Sequence, residues 1–467
     1  MDEKEIATAH EATTSATGGY GAGHKHFAPG WLLMVAPSRA RRFRVEDPLL
    51  AAALIDAGAE VVDKRPDVEI GSAEAMRGDA PLAVITIDRP PRASRPLLVR
   101  AGRRVATSLG ARLQAAIARS RLRRYGYDNV SVIFWDVGHR SEARPARMHG
   151  RRIAEMLPER ALAIGRRGRR ERTVLEAALD AAEQATGLSL SPRWVSVRSE
   201  VVVVAAEEAL LRAAAGQARC QIENHSAALE ALGSARAPML VRERVPSLLA
   251  RGRAGLCDWS LERLLPGTRP HRELTPPLLE ECIDFLVALS RVPAAEAGRR
   301  NFVELAEATG TVCGPTSKLA VRTLGEQLER DLADLPPCFV HGDFFAGNLL
   351  AEENRLTGVL DWDAAGPGLP LLDLLHLQLT RVHQGADDEW GQVLLERLLP
   401  IARGGGDTSM KKYCRVVGLE VDARLLENLV AAYWLDYVAY QLRTHPFRSL
   451  QPEWIAANVE LVLATMR

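Results

Sequence analysis

The feature that most constrains this chain is a series of short apolar segments that enclose two acidic motifs in its C-terminal third. His-Gly-Asp occupies residues 341–343, Asn348 follows five residues after the aspartate, and Asp-Trp-Asp occupies residues 361–363. Short apolar runs bounded by Gly and Asp are typical of strands that end in loops. The order therefore predicts a strand, a loop, a strand, a turn, a strand and a second acidic loop, with strands near residues 338–340, 349–350 and 356–360.

The two motifs supply a carboxylate, an amide and a second carboxylate in a fixed order. Phosphoryl transfer from a nucleotide needs such groups: one carboxylate orients or deprotonates an acceptor hydroxyl, and oxygen ligands hold Mg²⁺. Any single aspartate could instead cap a turn, since Asp is common in turns. The complete ordered set favours the chemical interpretation over the turn interpretation.

At these residues the sequence resembles the aminoglycoside phosphotransferase and choline kinase family, which is distantly related to the protein kinases. The family pattern is H-G-D-x-x-x-x-N-x-L, a short hairpin, D-W-[DE], a Gly/Pro turn and D-L, and protein kinases have the same Asp-to-Asn spacing. The clear resemblance covers about residues 190 to 467. The matching positions are His341, Gly342, Asp343, Asn348, Leu350, Asp361, Trp362, Asp363, Gly366, Pro370, Asp373 and Leu374.

The resemblance implies a role for each matching polar residue. Asp343 would be the catalytic base, and Asn348 and Asp361 would hold Mg²⁺ against the phosphates of ATP. Three further residues would support them: His341 by hydrogen bonding within the loop, Asp363 as a second acidic group near the metal, and Asp373 by fixing the loop from the start of the next helix, where the helix dipole favours a carboxylate.

The resemblance also implies an α+β, protein-kinase-like bilobal phosphotransferase fold, and the pattern of the segment before it favours an α/β domain. We expect a disordered tail at 1–30, an α/β domain of unknown function at 31–188, an N-lobe at 189–268 and a C-lobe at 269–467. Within the N-lobe, apolar runs predict strands at 194–198, 201–204, 209–212, 239–242 and 260–264 and a helix at 218–232. Residues 262–265 would form the hinge whose backbone contacts adenine, which makes Glu262 and Leu264 nucleotide-site candidates.

The chain departs from the family at the residue that grips the nucleotide phosphates. This fold normally has a lysine on the third strand, paired with a glutamate from a helix. No lysine occurs between Lys64 and Lys318, and Arg212 stands in that position, with Glu223 or Glu230 as its expected partner. Arginine binds phosphate through a planar fork and is not equivalent to lysine. The alternative is that Arg212 is a strand residue that points to solvent.

The segment from 31 to 188 alternates short apolar runs with helical patterns, which favours a partly parallel sheet. The predicted strands lie at 31–35, 59–62, 82–87 and 130–135. The predicted helices lie at 47–58 and 103–124, with two more after residue 135, the second near 172–186. No G-x-G-x-x-G or P-loop motif is present, so a dinucleotide or P-loop site lacks its phosphate cradle. The arginines between 103 and 172 are interpreted as a solvated face or a contact with the other domain.

Composition bounds the remaining possibilities. The 467 residues carry a formal net charge of +1, which gives no global attraction to nucleic acid or acidic membranes. Six cysteines without a C-x-x-C pair indicate free thiols in a reducing compartment. The start of the chain lacks the apolar stretch of a signal peptide, and no apolar run is long enough to span a membrane. We therefore expect a cytoplasmic protein.

Three hypotheses remain open from the sequence. The first is a small-molecule kinase that uses ATP and Mg²⁺, with a sugar, an amino alcohol or an aminocyclitol as acceptor. Acidic residues on the expected acceptor side, Asp387, Asp388 and Glu389, would suit a cationic one. The second is a binding or regulatory module that holds nucleotide weakly because of Arg212. The third adds a second enzyme, a transferase, in residues 31–188. The C-terminal aromatics are interpreted as core or pocket residues, with packing favoured: Trp390, Trp434, Tyr437 and Trp454.

Overall fold

The structure is a computed structural model. It describes residues 33, 36–45, 48–71, 77, 80–88, 116–127, 129–135, 160–167, 171–198, 201–271, 273–293, 301–382, 389–444, 448–449 and 451–466. Two compact units are present: residues 1–223 with 248–264, and residues 224–247 with 265–467.

The first unit contains a six-stranded sheet in the order β2-β1-β3-β4-β6-β5. Strands β1 to β4 pair in parallel, whereas β6 runs antiparallel to both β4 and β5. The predicted partly parallel sheet is thus confirmed. The strands are β1 (Arg42–Val45), β2 (Glu60–Val61), β3 (Val68–Gly71), β4 (Leu82–Asp88), β5 (Asn129–Trp135) and β6 (Arg160–Arg166), and helix α1 (Pro48–Asp56) connects β1 to β2.

One prediction for this region was wrong. Leu33, the described residue of the segment predicted as a strand at 31–35, is helical. Strand β6 was not predicted. It pairs with β4 on one side and β5 on the other, so both of its edges carry backbone hydrogen bonds. Residues 136–159 lie outside the described residues, and the first of the two helices expected after residue 135 stays a prediction.

The second sheet of this unit has five antiparallel strands in the order β10-β11-β9-β8-β7. They are β7 (Trp194–Arg198), β8 (Val201–Ala205), β9 (Ala209–Ala215), β10 (Leu248–Ala254) and β11 (Cys257–Arg263). Between β9 and β10 lie helix α3 (Arg219–Gly233) and the short helix α4 (Met239–Arg242). The strands predicted from 194 to 212 and at 260–264 are confirmed in type and place, as is the helix predicted at 218–232.

The strand predicted at 239–242 was wrong, since this segment is helix α4. Pro238 precedes it as the N-cap residue, and proline is well tolerated at a helix start. The strand that pairs with β11 on the side away from β9 is β10, and its residues Arg251 and Arg253 are exposed. Strand β10 lies at the edge of the sheet, where charged side chains are common, and therefore lacks the apolar run of a central strand.

The two sheets of the first unit share one hydrophobic core through helix α2 (Val174–Thr186). A Thr173/Glu176 capping box begins this helix, and Leu175, Ala178 and Ala182 are buried on one side of it. They belong to the same cluster of buried residues as Phe43 and Val68 of the first sheet, and as Val204, Leu211 and Trp259 of the second. Residues on both sides of position 188 contribute to this core.

The turn between β10 and β11 shows how closely these parts pack. Gly255 has φ +59°, and a Cβ at this position would lie 2.8 Å from the backbone oxygen of Ser38 and 3.6 Å from Val174. A side chain is thus excluded by the backbone conformation and by contacts with Ser38 and with the first residue of α2.

The second unit is mainly helical. Two strand pairs interrupt it, β12 (Cys338–Val340) with β15 (Gly366–Gly368) and β13 (Leu349–Glu352) with β14 (Arg355–Val359), both antiparallel. No helix in the described part of the chain combines the length and apolar character that crossing a membrane requires. The helices are α5 (Pro276–Leu289), α6 (Phe302–Gly310), α7 (Pro315–Asp331), α8 (Leu372–Val382), α9 (Trp390–Val393), α10 (Leu399–Arg403), α11 (Thr408–Val417), α12 (Ala423–Thr444), α13 (Pro452–Ile455) and α14 (Leu461–Thr465).

We predict that Leu175→Ala destabilises both sheets of the first unit together. Leu175 is fully buried, so the cavity should cost about 2–5 kcal/mol of unfolding free energy. Hydrogen exchange read by mass spectrometry should show faster exchange in β9 to β11 as well as in β1 to β4. Gln184→Ala, at an exposed position of the same helix, is the control. Faster exchange confined to residues before 190 would show instead that the second sheet is an independent folding unit.

Candidate active site

The loop that carries Asp343 begins directly after β12 and is closed by a tight backbone contact. Gly342 has φ +82°, and a Cβ there would collide with the backbone oxygen of Ala364. Ala364 lies between the second acidic motif and β15, which pairs with β12. The left-handed conformation of Gly342 therefore lets the two acidic loops approach each other at the ends of one strand pair.

Asp373, in the first turn of α8, holds the main chain of this loop. Its Oδ2 accepts the backbone N–H of His341 at 2.7 Å, and its Oδ1 accepts that of Gly342 at 2.9 Å. Burial raises the pKa of Asp373, while the His341 side chain and the two N–H donors act in the opposite direction. The supporting role that the sequence assigned to Asp373 thus has a defined geometry: one carboxylate satisfies two consecutive backbone donors.

His341 connects the first acidic loop to the second. Its Nε2 lies 2.9 Å from the backbone oxygen of Leu360, and its Nδ1 accepts the backbone N–H of Asp343 at 3.2 Å. A carbonyl can only accept, so Nε2 carries the proton and the ring is neutral. Burial lowers the pKa of His341, which favours the same neutral form. Its ring centroid lies 4.4 Å from that of Trp362, so the ring also packs in the core.

Asn348 orients the carboxylate of Asp343. Its Nδ2 donates to Asp343 Oδ2 at 2.9 Å and to the Asp343 backbone oxygen at 3.0 Å. Both recorded bonds use the amide nitrogen, which leaves Oδ1 as the part of this side chain that can bind a cation. Asn348 is buried, whereas the Asp343 side chain is 33% exposed. Asp343 therefore combines a fixed orientation with access from solvent.

The hairpin formed by β13 and β14 brings Asp361 to the side of Asn348. Leu349 pairs with Val359, and the backbone N–H of Leu360 donates to the backbone oxygen of Asn348 at 2.8 Å. Asp361 follows at once, with φ +70°, a conformation that is costly for a residue with a side chain and that recurs at functional sites.

Trp362 anchors the residue on each side of it. The side chain is fully buried, and its Nε1 donates to the backbone oxygen of Val359 at 2.8 Å. Its backbone N–H donates to Nδ1 of His225, a buried residue of α3, at 3.2 Å. Asp361 and Asp363 are thus held at the surface of the core by the residue between them.

The donor set fits a magnesium ion. Mg²⁺ prefers oxygen ligands and is usually held by one or two carboxylates together with substrate phosphates and water. Asn348 and Asp361 offer an amide oxygen and a carboxylate on facing ends of one hairpin. Within the described ranges no cluster of three or more His, Cys, Asp or Glu residues forms a complete protein cage for a metal. The set therefore suits a cation that is shared with a phosphate ligand.

The sequence analysis missed His376 and the polar face of α12. His376 Nε2 lies 3.1 Å from Asp343 Oδ1, and its Nδ1 lies 2.7 Å from the hydroxyl of Tyr433. Asp436, Tyr437 and Tyr440 line the same pocket as Tyr433, together with Gly342, Ala364 and His376. Positions 433, 436, 437 and 440 share one face of a helix, so their spacing was the available signal. Tyr437, for which a packing role was favoured over a pocket role, lines this pocket, whereas Trp434 is fully buried.

The acidic groups of both loops act electrostatically on the side chain of Tyr440. Burial raises the pKa of Tyr440, and the negative charges of Asp363, Asp343 and Asp361 raise it further. All three carboxylates thus act on one phenol at the pocket wall. Of the acidic residues expected on the acceptor side, Asp387 and Asp388 lie outside the described residues. Glu389 accepts the Nδ2 of Asn458 at 2.8 Å.

The other predicted nucleotide-site residues belong to the first unit or its edge. Arg212 Nε lies 3.4 Å from Glu262 Oε1 on the neighbouring strand, and both side chains are nearly buried. The backbone N–H of Leu264 donates to the backbone oxygen of Glu208, and Glu223 is exposed on α3. Arg212 therefore does not simply point to solvent. Contacts of these four residues with a nucleotide stay predictions.

We predict that Asp373→Asn disrupts the loop. The asparagine side chain has one oxygen and one NH₂ group, so one of the two backbone N–H groups that donate to the Asp373 carboxylate would face another donor. An unsatisfied buried N–H costs about 1–3 kcal/mol. The midpoint of chemical denaturation should fall accordingly, and hydrogen exchange should rise at residues 341–343. Asp334→Asn, at an exposed position, is the control. Unchanged exchange at 341–343 in the Asp373 variant would contradict this account of the loop.

Comparisons with known proteins were made for the whole chain. Residues 196–411 match the model of the phosphotransferase enzyme family APH. No curated protein matches the chain in sequence.

The chain is also similar to solved structures of phosphotransferases. The gentamicin complex of APH(2")-IIa is 14% identical, with a TM-score of 0.46, and the match covers 62% of this chain and 96% of that one. A thermostable mutant of APH(4)-Ia, with ADP and hygromycin B, is 16% identical, with a TM-score of 0.40 and coverage of 62% and 98%. A putative aminoglycoside phosphotransferase from Ralstonia eutropha JMP134 is 16% identical, with a TM-score of 0.43 and coverage of 62% and 95%.

The family match includes the second sheet of the first unit and both acidic loops, and it leaves residues before 196 uncovered. The predicted resemblance and the α+β, protein-kinase-like phosphotransferase fold are thereby confirmed for this part of the chain. Residues 196–411 are thus similar to the phosphotransferase enzyme family.

Proposed function

We propose that the chain is an ATP- and Mg²⁺-dependent phosphotransferase that acts on a hydroxyl of a small molecule, with Asp343 as the catalytic base. The observation that supports this most directly is the environment of the Asp343 carboxylate. Asn348 and His376 each hold one of its oxygens, and the side chain remains 33% exposed. A general base must be fixed within hydrogen-bond reach of the proton that it accepts.

The role of Asp343 follows from its spare acceptor capacity. Each carboxylate oxygen has two lone pairs, and each accepts one side-chain hydrogen bond from the protein. An acceptor hydroxyl can therefore donate to Asp343 without displacing either partner. That hydrogen bond aligns the hydroxyl oxygen for attack on the terminal phosphoryl group of ATP. As the new O–P bond forms, the bond from this phosphorus to the bridging oxygen breaks, ADP leaves, and the carboxylate takes the proton of the hydroxyl.

Asn348 Oδ1 and Asp361 would hold Mg²⁺ in this reaction. When bound, the ion offsets negative charge on the phosphoryl oxygens of the nucleotide. Because Asn348 also donates to Asp343, the residue that would bind the metal also orients the base. Asp361, the other proposed ligand, has a backbone φ of +70°, which a residue with a side chain rarely adopts. The buried side chain of the next residue, Trp362, holds it in this conformation.

The pocket beside Asp343 favours a polar acceptor that carries positive charge. Its wall includes Asp436 and the phenol groups of Tyr433, Tyr437 and Tyr440, and the charge of Asp363 also acts on Tyr440. Aromatic rings and carboxylates together attract cations. A sugar or cyclitol with amino groups, or an amino alcohol, satisfies these conditions and also presents a hydroxyl.

A binding or regulatory module is the second candidate function. It is favoured by the pairing of Arg212 with Glu262, because a guanidinium engaged by a nearly buried carboxylate has less capacity to bind phosphate. The oriented base and the facing oxygen ligands argue against it, since a module without phosphoryl transfer has no need of them.

We predict that Asp343→Asn lowers acceptor-dependent ADP release by about 10²–10⁴-fold, the usual contribution of a general base. The thermal shift caused by Mg-ATP should be retained, because this residue is not one of the proposed metal ligands. The assay covers sugars, amino alcohols and aminoglycosides, with Asp334→Asn as the control.

Turnover at the wild-type rate in the Asp343→Asn variant would refute the role of Asp343 as the catalytic base. Absence of turnover in the wild type, together with absence of a thermal shift with Mg-ATP, would favour the binding module.

We predict that Asn348→Ala and Asp361→Asn each raise the Mg²⁺ concentration required for half-maximal ATP-induced stabilisation by about 10–100-fold. Each variant removes one proposed oxygen ligand. The measurement is a Mg²⁺ titration at fixed ATP, followed by thermal shift. Stabilisation by ATP with EDTA present serves as the control and should be small and equal in all three proteins. An unchanged Mg²⁺ midpoint in both variants would remove these residues from the metal site.

A further inference from the structure

The second partner of the Asp343 carboxylate has no place in the motif that defines the site. We propose that His376 is a positioning residue for Asp343: its Nε2–H donates to Asp343 Oδ1, and the hydroxyl of Tyr433 fixes its tautomer by donating to Nδ1. Its catalytic consequence rests on the function proposed above. The hydrogen bonds themselves do not, and they can be tested separately.

The geometry places His376 between two polar groups in line. Its Nε2 lies 3.1 Å from Asp343 Oδ1, and its Nδ1 lies 2.7 Å from the Tyr433 hydroxyl. His376 and Tyr433 are both buried, each with 5% of its surface exposed. Buried polar groups are stabilised only when their hydrogen bonds are satisfied, and both ring nitrogens meet that condition here.

The chemistry of the partners fixes the direction of one hydrogen bond and limits that of the other. An ionised carboxylate can only accept, so Nε2 must carry the proton. In a neutral ring Nδ1 then has a lone pair, which accepts from the Tyr433 hydroxyl. Burial raises the pKa of Tyr433 well above its ordinary value, so the hydroxyl keeps its proton. In the proposed arrangement, donation runs from Tyr433 to His376 to Asp343.

The ring of His376 is also confined by aromatic neighbours. The Phe345 ring meets it edge-on at a centroid distance of 6.1 Å, and the Tyr437 ring lies 5.8 Å away on a tilted plane. These contacts restrict rotation of the imidazole, so its Nε2–H has a defined direction. A side chain whose own orientation is fixed can orient a second side chain through a hydrogen bond, as outer residues do for metal ligands and catalytic groups.

Helix α8 supports both the backbone and the carboxylate of the Asp343 loop, each through one side chain. Asp373 and His376 are three residues apart and lie on one face of the helix. Asp373 holds the backbone of His341 and Gly342, while His376 holds the side chain of Asp343. With Asn348 on Oδ2 and His376 on Oδ1, the plane of the Asp343 carboxylate is fixed from both sides.

The first test compares His376→Leu with His376→Gln. The leucine variant loses the donor and should lower kcat about 10–100-fold, a typical effect of removing an outer-shell partner. The KM for ATP should stay within about twofold, because the proposed metal ligands are intact. Glutamine can place an amide N–H near Asp343 and should restore kcat to within about fivefold of wild type. Equal losses in both variants, or full activity in the leucine variant, would overturn the positioning role.

The second test does not depend on turnover. Proton-nitrogen correlation spectra of the imidazole groups distinguish the Nε2–H tautomer, the Nδ1–H tautomer and the imidazolium form. The His376 signals are assigned by their loss in His376→Gln, and the wild type should show Nε2–H at this residue. Tyr433→Phe keeps the ring but removes the hydroxyl, so it should shift the Nδ1 resonance towards that of an unbonded nitrogen.

The two tests separate the two proposals. An Nδ1–H tautomer or an imidazolium at His376 would refute the hydrogen-bond chain regardless of activity. An Nε2–H tautomer in a protein that phosphorylates nothing on the acceptor panel would support the chain while refuting the proposed function. If His376→Leu fails to fold, the Tyr433→Phe spectrum still decides, because an unchanged Nδ1 resonance would contradict donation from Tyr433.

Discussion

The geometry of the candidate site depends on one buried carboxylate that is satisfied by the main chain. Asp373 accepts the backbone N–H groups of His341 and Gly342, one on each oxygen. Two consecutive donors can point to one carboxylate only if the chain turns sharply between them, and Gly342 makes that turn with φ +82°. A buried charge is costly unless it is paired or hydrogen-bonded, so the loop and the carboxylate stabilise each other. This pairing therefore sets the backbone conformation from which the Asp343 side chain extends.

The second acidic loop is tied to the first through aromatic side chains. His341 joins the Asp343 loop to Leu360, and Trp362 joins the next residues to His225 and to β14. The two rings pack against each other at 4.4 Å. The polar candidate site thus rests on a layer of buried aromatics, which leaves few conformations open to the carboxylates above them. Such preorganisation is what makes fixed charges and dipoles effective in catalysis.

The sequence was sufficient to predict the parts of the site that lie close together in the chain. Asp343, Asn348 and Asp361 stand at the ends of adjacent short strands, so local strand and turn patterns bring them together. His376 and Tyr433 could not be predicted in the same way. They reach Asp343 from two helices, and only the packing of those helices decides which face meets the loop. The incorrect strand assignment at 239–242 has a local cause, because a proline at the helix start outweighed the apolar pattern.

The role of the residues before 196 is constrained by packing more than by motif. The family match begins at residue 196, yet many buried residues of the second sheet belong to a cluster that extends back to Leu33 and includes one face of α2. Removal of the N-terminal segments would expose Val204, Leu211 and Trp259 to water, at a cost that scales with the apolar area. A linker joins two independent domains through few contacts, whereas here the core itself is continuous. The segments before 196 therefore act as part of the framework that supports the antiparallel sheet, whatever further chemistry they carry.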